Sequence, residues 1–253
     1  MDFGELLYSV GERVEEMISR TVKAVKTFFF PKPSQHPPKS FLSRFVKKKL
    51  TPHEFFSLHV QVCFLIYLVA NLCIELFFRD LLSVVLVLGT FVVYLAYMRY
   101  YFGRYDSYLI TPEPYRFFYF GISCLAFVAF LGYSLMRVFV SSPYYYYAYV
   151  LLVAIGVFLF RWYFKHRYGR DYTYGVVEDV KKDLAKVFVH DDISANVKPG
   201  YYWVPSVPDV KPGCVVKLLV EERTLRSSTP VRILEVYINQ SSHIETAPKE
   251  DTE

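Results

Sequence analysis

The sequence predicts a mixed fold. An α-helical transmembrane bundle of four spans is followed by a small all-β cytoplasmic domain, an OB- or SH3-like barrel. Three observations predict it. Four long apolar stretches lie close together between residues 55 and 164. Basic residues crowd one set of their ends and avoid the other. After Arg170 the pattern changes to short runs rich in Val, Tyr and Ile, bounded by turn residues.

The chain has 253 residues, 53% hydrophobic and 19% aromatic, which suits a modest bundle plus one small domain. Its net charge of +5 is unevenly spread. Residues 1–170 carry 19 Lys and Arg against 10 Asp and Glu, whereas residues 171–240 carry 9 against 10. The excess positive charge therefore flanks the spans, where it serves topology and anionic lipid. It is not the footprint of a nucleic-acid-binding domain, and no nucleic-acid partner is expected.

Residues 1–30 read as an amphipathic helix, with Leu6, Val10, Val14, Met17 and Ile18 among apolar residues at three- and four-residue steps. They are charged throughout and lack an apolar core, so a cleavable signal peptide is not expected. Residues 31–50 form a linker. Four prolines between Pro31 and Pro38 exclude helix there. Arg44, Lys47, Lys48 and Lys49 then anchor the chain to lipid head groups.

Residues 51–170 form the transmembrane domain. A hydrocarbon core about 30 Å thick takes about 20 apolar helical residues at 1.5 Å each. The spans are 55–78, 81–102, 115–140 and 143–164. Thr51, Pro52 and Glu54 make a capping box with proline at the first helical position. Thr111-Pro112 repeats the Thr-Pro start before the third span, which admits two tandem hairpins of one orientation. Gly121, Ala129 and Gly132 share one side of the third span and permit close approach of a neighbour. Asn71 is placed to hydrogen-bond between helices. Tyr94, Tyr97, Tyr100 and Tyr101, and Tyr144–Tyr147, read as aromatic belts. The tight loops around Arg79-Asp80 and Ser142 have only Arg79 and Arg137 nearby, so both termini are expected in the cytoplasm.

Residues 171–238 form the β-barrel domain, with strands expected at 172–177, 184–189, 201–204, 214–222 and 231–237. Its expected core is Val176, Val187, Val189, Val216, Leu218, Val220, Ile233 and Val236. Val197-Lys-Pro-Gly200 and Val210-Lys-Pro-Gly213 read as type II turns with both glycines at positive φ. Residues 239–253 form a disordered acidic tail.

Four segments of this domain carry a resemblance. They are Tyr174-Gly-Val-Val-Glu-Asp-Val180, Val187-Phe-Val-His-Asp191, Asn196-Val-Lys-Pro-Gly-Tyr-Tyr-Trp-Val-Pro205 and Val215-Val-Lys-Leu-Leu-Val-Glu221. They resemble an uncharacterised archaeal family of predicted multi-pass membrane proteins with a domain of unknown function. The resemblance implies an archaeal plasma-membrane protein and supplies no activity or site residues.

No GxGxxG, Walker A or HExxH motif is present, so no catalytic residue, metal ligand or cofactor is assigned. Cys63, Cys73, Cys124 and Cys214 form no CxxC pair and are expected as small buried hydrophobes. His53 and His59 are six residues apart and do not share a helical face. Glu75 and Arg137 are a candidate intramembrane polar pair, with Arg79 as the local alternative for Glu75. Tyr201, Tyr202 and Trp203 are a candidate interaction surface. The expected function is non-enzymatic: a plasma-membrane scaffold presenting the barrel to a protein partner. The alternative is a homo-oligomeric channel or transporter with the barrel as its vestibule.

Overall fold

The computed structural model describes residues 51–109, 111–140, 142, 144–223 and 226–237, together with residues 12, 13, 15–17, 19, 20 and 34. The lipid-anchoring residues Arg44, Lys47, Lys48 and Lys49, the acidic tail 239–253, and the rest of the N-terminal helix and linker lie outside the described residues. Ser34 N–H donates to Arg104 O at 2.8 Å.

Among the described residues, four helices are long and apolar enough to cross a membrane. They are α1 (Pro52–Phe77), α2 (Leu81–Tyr105), α3 (Pro112–Phe139) and α4 (Tyr144–Tyr168). The capping box at α1 forms: Thr51 N–H donates to Glu54 Oε2 at 3.0 Å, and Glu54 N–H donates to Thr51 Oγ1 at 3.3 Å. Thr111 begins α3 without a side-chain cap bond, so the two Thr-Pro starts differ in structure.

Helices α1, α2 and α3 share an aromatic core of Phe56, Val60, Tyr67, Tyr94, Met98, Phe102, Tyr115 and Tyr119. Helix α4 lies to one side and packs mainly on α3. The glycines decide where: Phe160 fills the space a side chain at Gly121 would take, and Tyr149 does so at Gly132. Tyr149 OH also donates to Val128 O at 3.0 Å and Ala129 O at 2.8 Å. Outward positions such as Leu65, Val93 and Leu151 are apolar and exposed, as a lipid-facing surface requires. Cys73 and Cys124 share this exposure, contrary to the buried role expected for them; only Cys214 is fully buried. A thiol meets no penalty facing hydrocarbon, so hydrophobicity alone did not bury these two.

Five strands follow: β1 (Tyr172–Lys181), β2 (Leu184–Val189), β3 (Gly200–Pro205), β4 (Val215–Arg223) and β5 (Arg226–Tyr237). They form one antiparallel sheet in the order β3-β2-β1-β4-β5. The sheet curls into a half-barrel rather than the closed barrel expected. A single parallel bridge, Val197 to Ser228, links the segment before β3 to β5. Val177, Val187, Val189, Val204, Val216, Leu218 and Ile233 fill its concave side.

Two expectations are corrected here. Val176 points outward at 37% exposure and Val177 inward at 1%. Inward Gly175 sets that phase: a Cβ there would meet Val187 Cγ1 at 2.5 Å, so glycine permits β2 to close on β1. Of the two Pro-Gly turns, only Gly213 has positive φ, at 91°. Gly200 is already in the ladder, paired with Val189, and is extended. The left-handed residue of that loop is Asn196, at φ 53°.

Candidate functional site at the bundle–sheet junction

The loop between β2 and β3 is where the two halves meet. Asp192 organises it. Backbone N–H groups of Ser194 and Ala195 donate to Asp192 Oδ1 at 3.0 and 3.1 Å, an Asx turn. Its other oxygen accepts from Thr173 Oγ1 at 2.7 Å and Arg170 Nη2 at 3.0 Å. Two backbone hydrogen bonds of 3.0 Å between Asp192 and Val197 close the loop at its base. Both carboxylate oxygens are thus used, and Asp192 braces the loop against the chain leaving α4.

The braced loop presses into the open end of the bundle. Ile193 packs on the helical core. Ser57 Oγ of α1 donates to Asp191 Oδ2, and Tyr115 OH of α3 donates to Asp191 O at 2.7 Å. The His53 ring lies edge-on to Tyr115 at 5.9 Å between centroids and 5.6 Å from the His190 ring. Burial holds the Asp191 carboxyl above its ordinary value of 3.8; the Ser57 hydrogen bond opposes this, and neighbouring Asp192 and Glu54 add to it. Among the described residues, no three His, Cys, Asp or Glu side chains come together as metal ligands.

A series of polar groups, most of them buried and Tyr97 partly exposed, extends from this junction along the bundle. His59 Nε2 and Tyr97 OH are 2.7 Å apart, and the His59 ring stacks on Tyr101 at 4.2 Å. Ser123 Oγ donates to Tyr94 OH at 3.2 Å. Asn71 Nδ2 donates to Tyr67 O at 2.8 Å, and Thr90 Oγ1 donates to Asn71 Oδ1 at 3.1 Å. At the far end Arg137 Nη1 lies 3.1 Å from Glu75 Oε2, and Ser134 donates to the other carboxylate oxygen. Arg137 also donates to the Glu75 carbonyl. Glu75 and Arg137 are therefore partners across α1 and α3.

The three aromatic residues of β3 do not share a face. Tyr201 and Trp203 are 48% and 49% exposed, with Lys186 Nζ 4.2 Å from the Tyr201 ring centroid and Lys181 Nζ 5.9 Å from that of Trp203. Tyr202 turns toward the sheet core and donates to Lys198 O at 2.9 Å. Strand alternation requires this split, so Tyr202 does not belong to the surface.

In the sequence His53, Glu54 and His59 stand at the start of an apolar span, and His190-Asp191-Asp192 stands between two β-rich runs. Their meeting was missed because Ser57 and Asp191 are 134 residues apart. The available signal was the polar series His53, Ser57, Gln61 in the first turns of an otherwise apolar span.

No curated protein and no solved structure matches the chain. A family model described as "Predicted membrane protein (DUF2101)" matches residues 25–234, covering all four spans and most of the sheet. The chain belongs to that family of membrane proteins.

Proposed function

We propose that the protein is a non-enzymatic scaffold of the plasma membrane. It holds its β domain at the cytoplasmic surface and offers the outer face of β2 and β3 to a protein partner. The observation that carries this reading is the exposed pair Tyr201 and Trp203, each attended by a lysine, on a domain clamped from behind by the His190–Asn196 loop. Half-exposed aromatics flanked by cations on a rigid element suit a protein contact. The cytoplasmic orientation is supported by Arg99, Arg104, Arg116, Arg161, Lys165 and Arg167 at the helix ends nearest the sheet, against Arg79 and Arg137 at the opposite ends. An OB-type topology for the half-barrel is supported by the β3-β2-β1-β4-β5 order together with the parallel bridge from Val197 to β5. The near-neutral charge of residues 171–240 argues for a protein partner over nucleic acid.

The test is a photo-crosslinking residue at Trp203 in living cells. A discrete adduct with one other protein, lost in Tyr201→Ala and absent from a probe at Val231, supports the scaffold. Adducts to lipid or to a second copy alone contradict it. The second reading, an oligomeric channel or transporter, is favoured by the largely buried polar series from His59 to Glu75. Ion or proton flux through reconstituted homo-oligomers, abolished by Glu75→Gln, would establish that reading instead.

A further inference from the structure

A crevice of about 920 Å³ opens between the sheet-side ends of α3 and α4, the β2–β3 loop and the β4–β5 hairpin. Its two ends differ in chemistry. Toward the bundle it is walled by Phe118 and Phe164, whose rings pack edge to face at 5.2 Å. Toward the sheet it is lined by Arg161, Lys165, Lys198 and Arg226, with the hydroxyls of Ser194, Ser227 and Ser228 between them. One carboxylate enters, Glu222, and it pairs with Lys165 at 2.6 Å. Arg161, Lys198 and Arg226 have no carboxylate partner among the described residues.

The position of the crevice selects its occupant. Arg161 and Lys165 are one helical turn apart in the last two turns of α4, the depth at which a span leaves hydrocarbon. A ligand held here has an apolar portion against Phe118 and Phe164 and an anionic portion among three unpaired cations. We propose that the crevice is a binding site for one anionic phospholipid, with its phosphate held by Arg161, Arg226 and Lys198 and an acyl chain running along the α3–α4 side. Basic pockets beside the cytoplasmic ends of spans take such head groups. Arginine suits the phosphate, because its fork donates two parallel hydrogen bonds. The crevice is bounded by both the bundle and the sheet, so the lipid joins the two halves as a third component. Glu222 orients Lys165 and excludes a second anion by repulsion.

The experiment uses the full-length protein purified in a neutral detergent, probed with phosphatidylglycerol and with phosphatidylcholine. Native mass spectrometry reads the retained lipid, and thermal unfolding reads the stabilisation. The wild type should retain phosphatidylglycerol at least about tenfold better than phosphatidylcholine and should be stabilised by it. Arg161→Gln with Arg226→Gln should abolish the preference. Arg161→Lys with Arg226→Lys, which keeps the charge and loses the fork, should keep part of it, which separates lost charge from lost folding. Arg99→Gln with Lys211→Gln, both outside the crevice, should leave it unchanged. Glycerol phosphate and inorganic phosphate, supplied in excess, should neither stabilise the protein nor displace the lipid. An unchanged preference in the glutamine pair overturns the proposal. Full stabilisation by inorganic phosphate overturns it also, since the site would then take a small anion and the apolar wall would have no role.

Discussion

Asp191 and Asp192 are adjacent in sequence and opposite in role. The Asp192 carboxylate accepts four hydrogen bonds, one of them from a largely buried arginine. Asp192→Ala strands those donors together with the Arg170 charge. It should cost about 3 kcal/mol, seen as a lower midpoint in denaturant unfolding. Asp192→Asn retains the shape and part of the bonding and should cost less. Asp191 is instead a carboxyl that the fold holds more readily protonated. Because its folded value is raised, the unfavourable charge is absent below about pH 3.8 and complete once pH has passed the folded value. Wild-type stability should therefore fall on raising the pH through that window by more than that of Asp191→Asn. Equal slopes for the two proteins would contradict the buried placement of Asp191. None of this was legible locally: the sequence shows a His-Asp-Asp triplet between two strands, and nothing in it names a helix 134 residues away as its partner.

At the scale of elements, the spans and strands were readable because each repeats a simple pattern. The four apolar runs became α1 to α4, and the five β-rich runs became β1 to β5, with ends shifted by a few residues. β5 grew most, starting at Arg226 rather than 231, because Thr229 and Pro230 pair with Glu221 and Val220 of β4 although proline is a poor strand former. The phase of β1 was misread because Gly175 contributes no hydrophobicity, yet occupies an inward position that only a residue without a side chain can fill. Gly175→Val should accordingly unfold the sheet, whereas Val176→Thr should be nearly neutral. The two Pro-Gly turns should also differ. Gly213→Val forces a β-branched residue to φ 91° and should cost about 1–2 kcal/mol, while Gly200→Val, on extended backbone, should cost clearly less. Thermal unfolding of the three glycine variants, side by side, checks the ranking. In the bundle, Gly132→Leu should displace Tyr149 and loosen α4 from α3 without disturbing the α1–α2–α3 core. Protease sensitivity of the α3–α4 connection would report it.

On the scale of the whole molecule, a lopsided bundle carries a half-barrel on one end. The pair Glu75–Arg137 lies at the end away from the sheet, and the Asp191 junction lies at the other. Glu75→Gln leaves Arg137 without its charge partner in a buried position, and it should destabilise the bundle by about 3 kcal/mol. Exchanging the two charges in a double variant should recover part of the loss, and simple additivity would deny the coupling. The proposed orientation rests on the distribution of basic residues, and its consequence is checkable. A cysteine at Ser142 should react with an impermeant reagent added to intact cells. The docking of sheet on bundle was not legible, because it depends on a few long-range contacts at the ends of elements rather than on any repeating pattern.

That docking is the central claim, and proximity in the native membrane tests it. Ser57→Cys with Asp191→Cys, in a chain whose own four cysteines are replaced, should be joined in high yield by a short bifunctional thiol reagent in isolated membranes. A control pairing Ser57→Cys with Glu235→Cys on the exposed part of β5 should not be joined. Peptide mass spectrometry of the linked product gives the measurement. Efficient linkage of the first pair alone is the predicted result. No linkage at 57–191, or equal linkage of both pairs, would show that the β domain hangs free of the helices and would contradict the account.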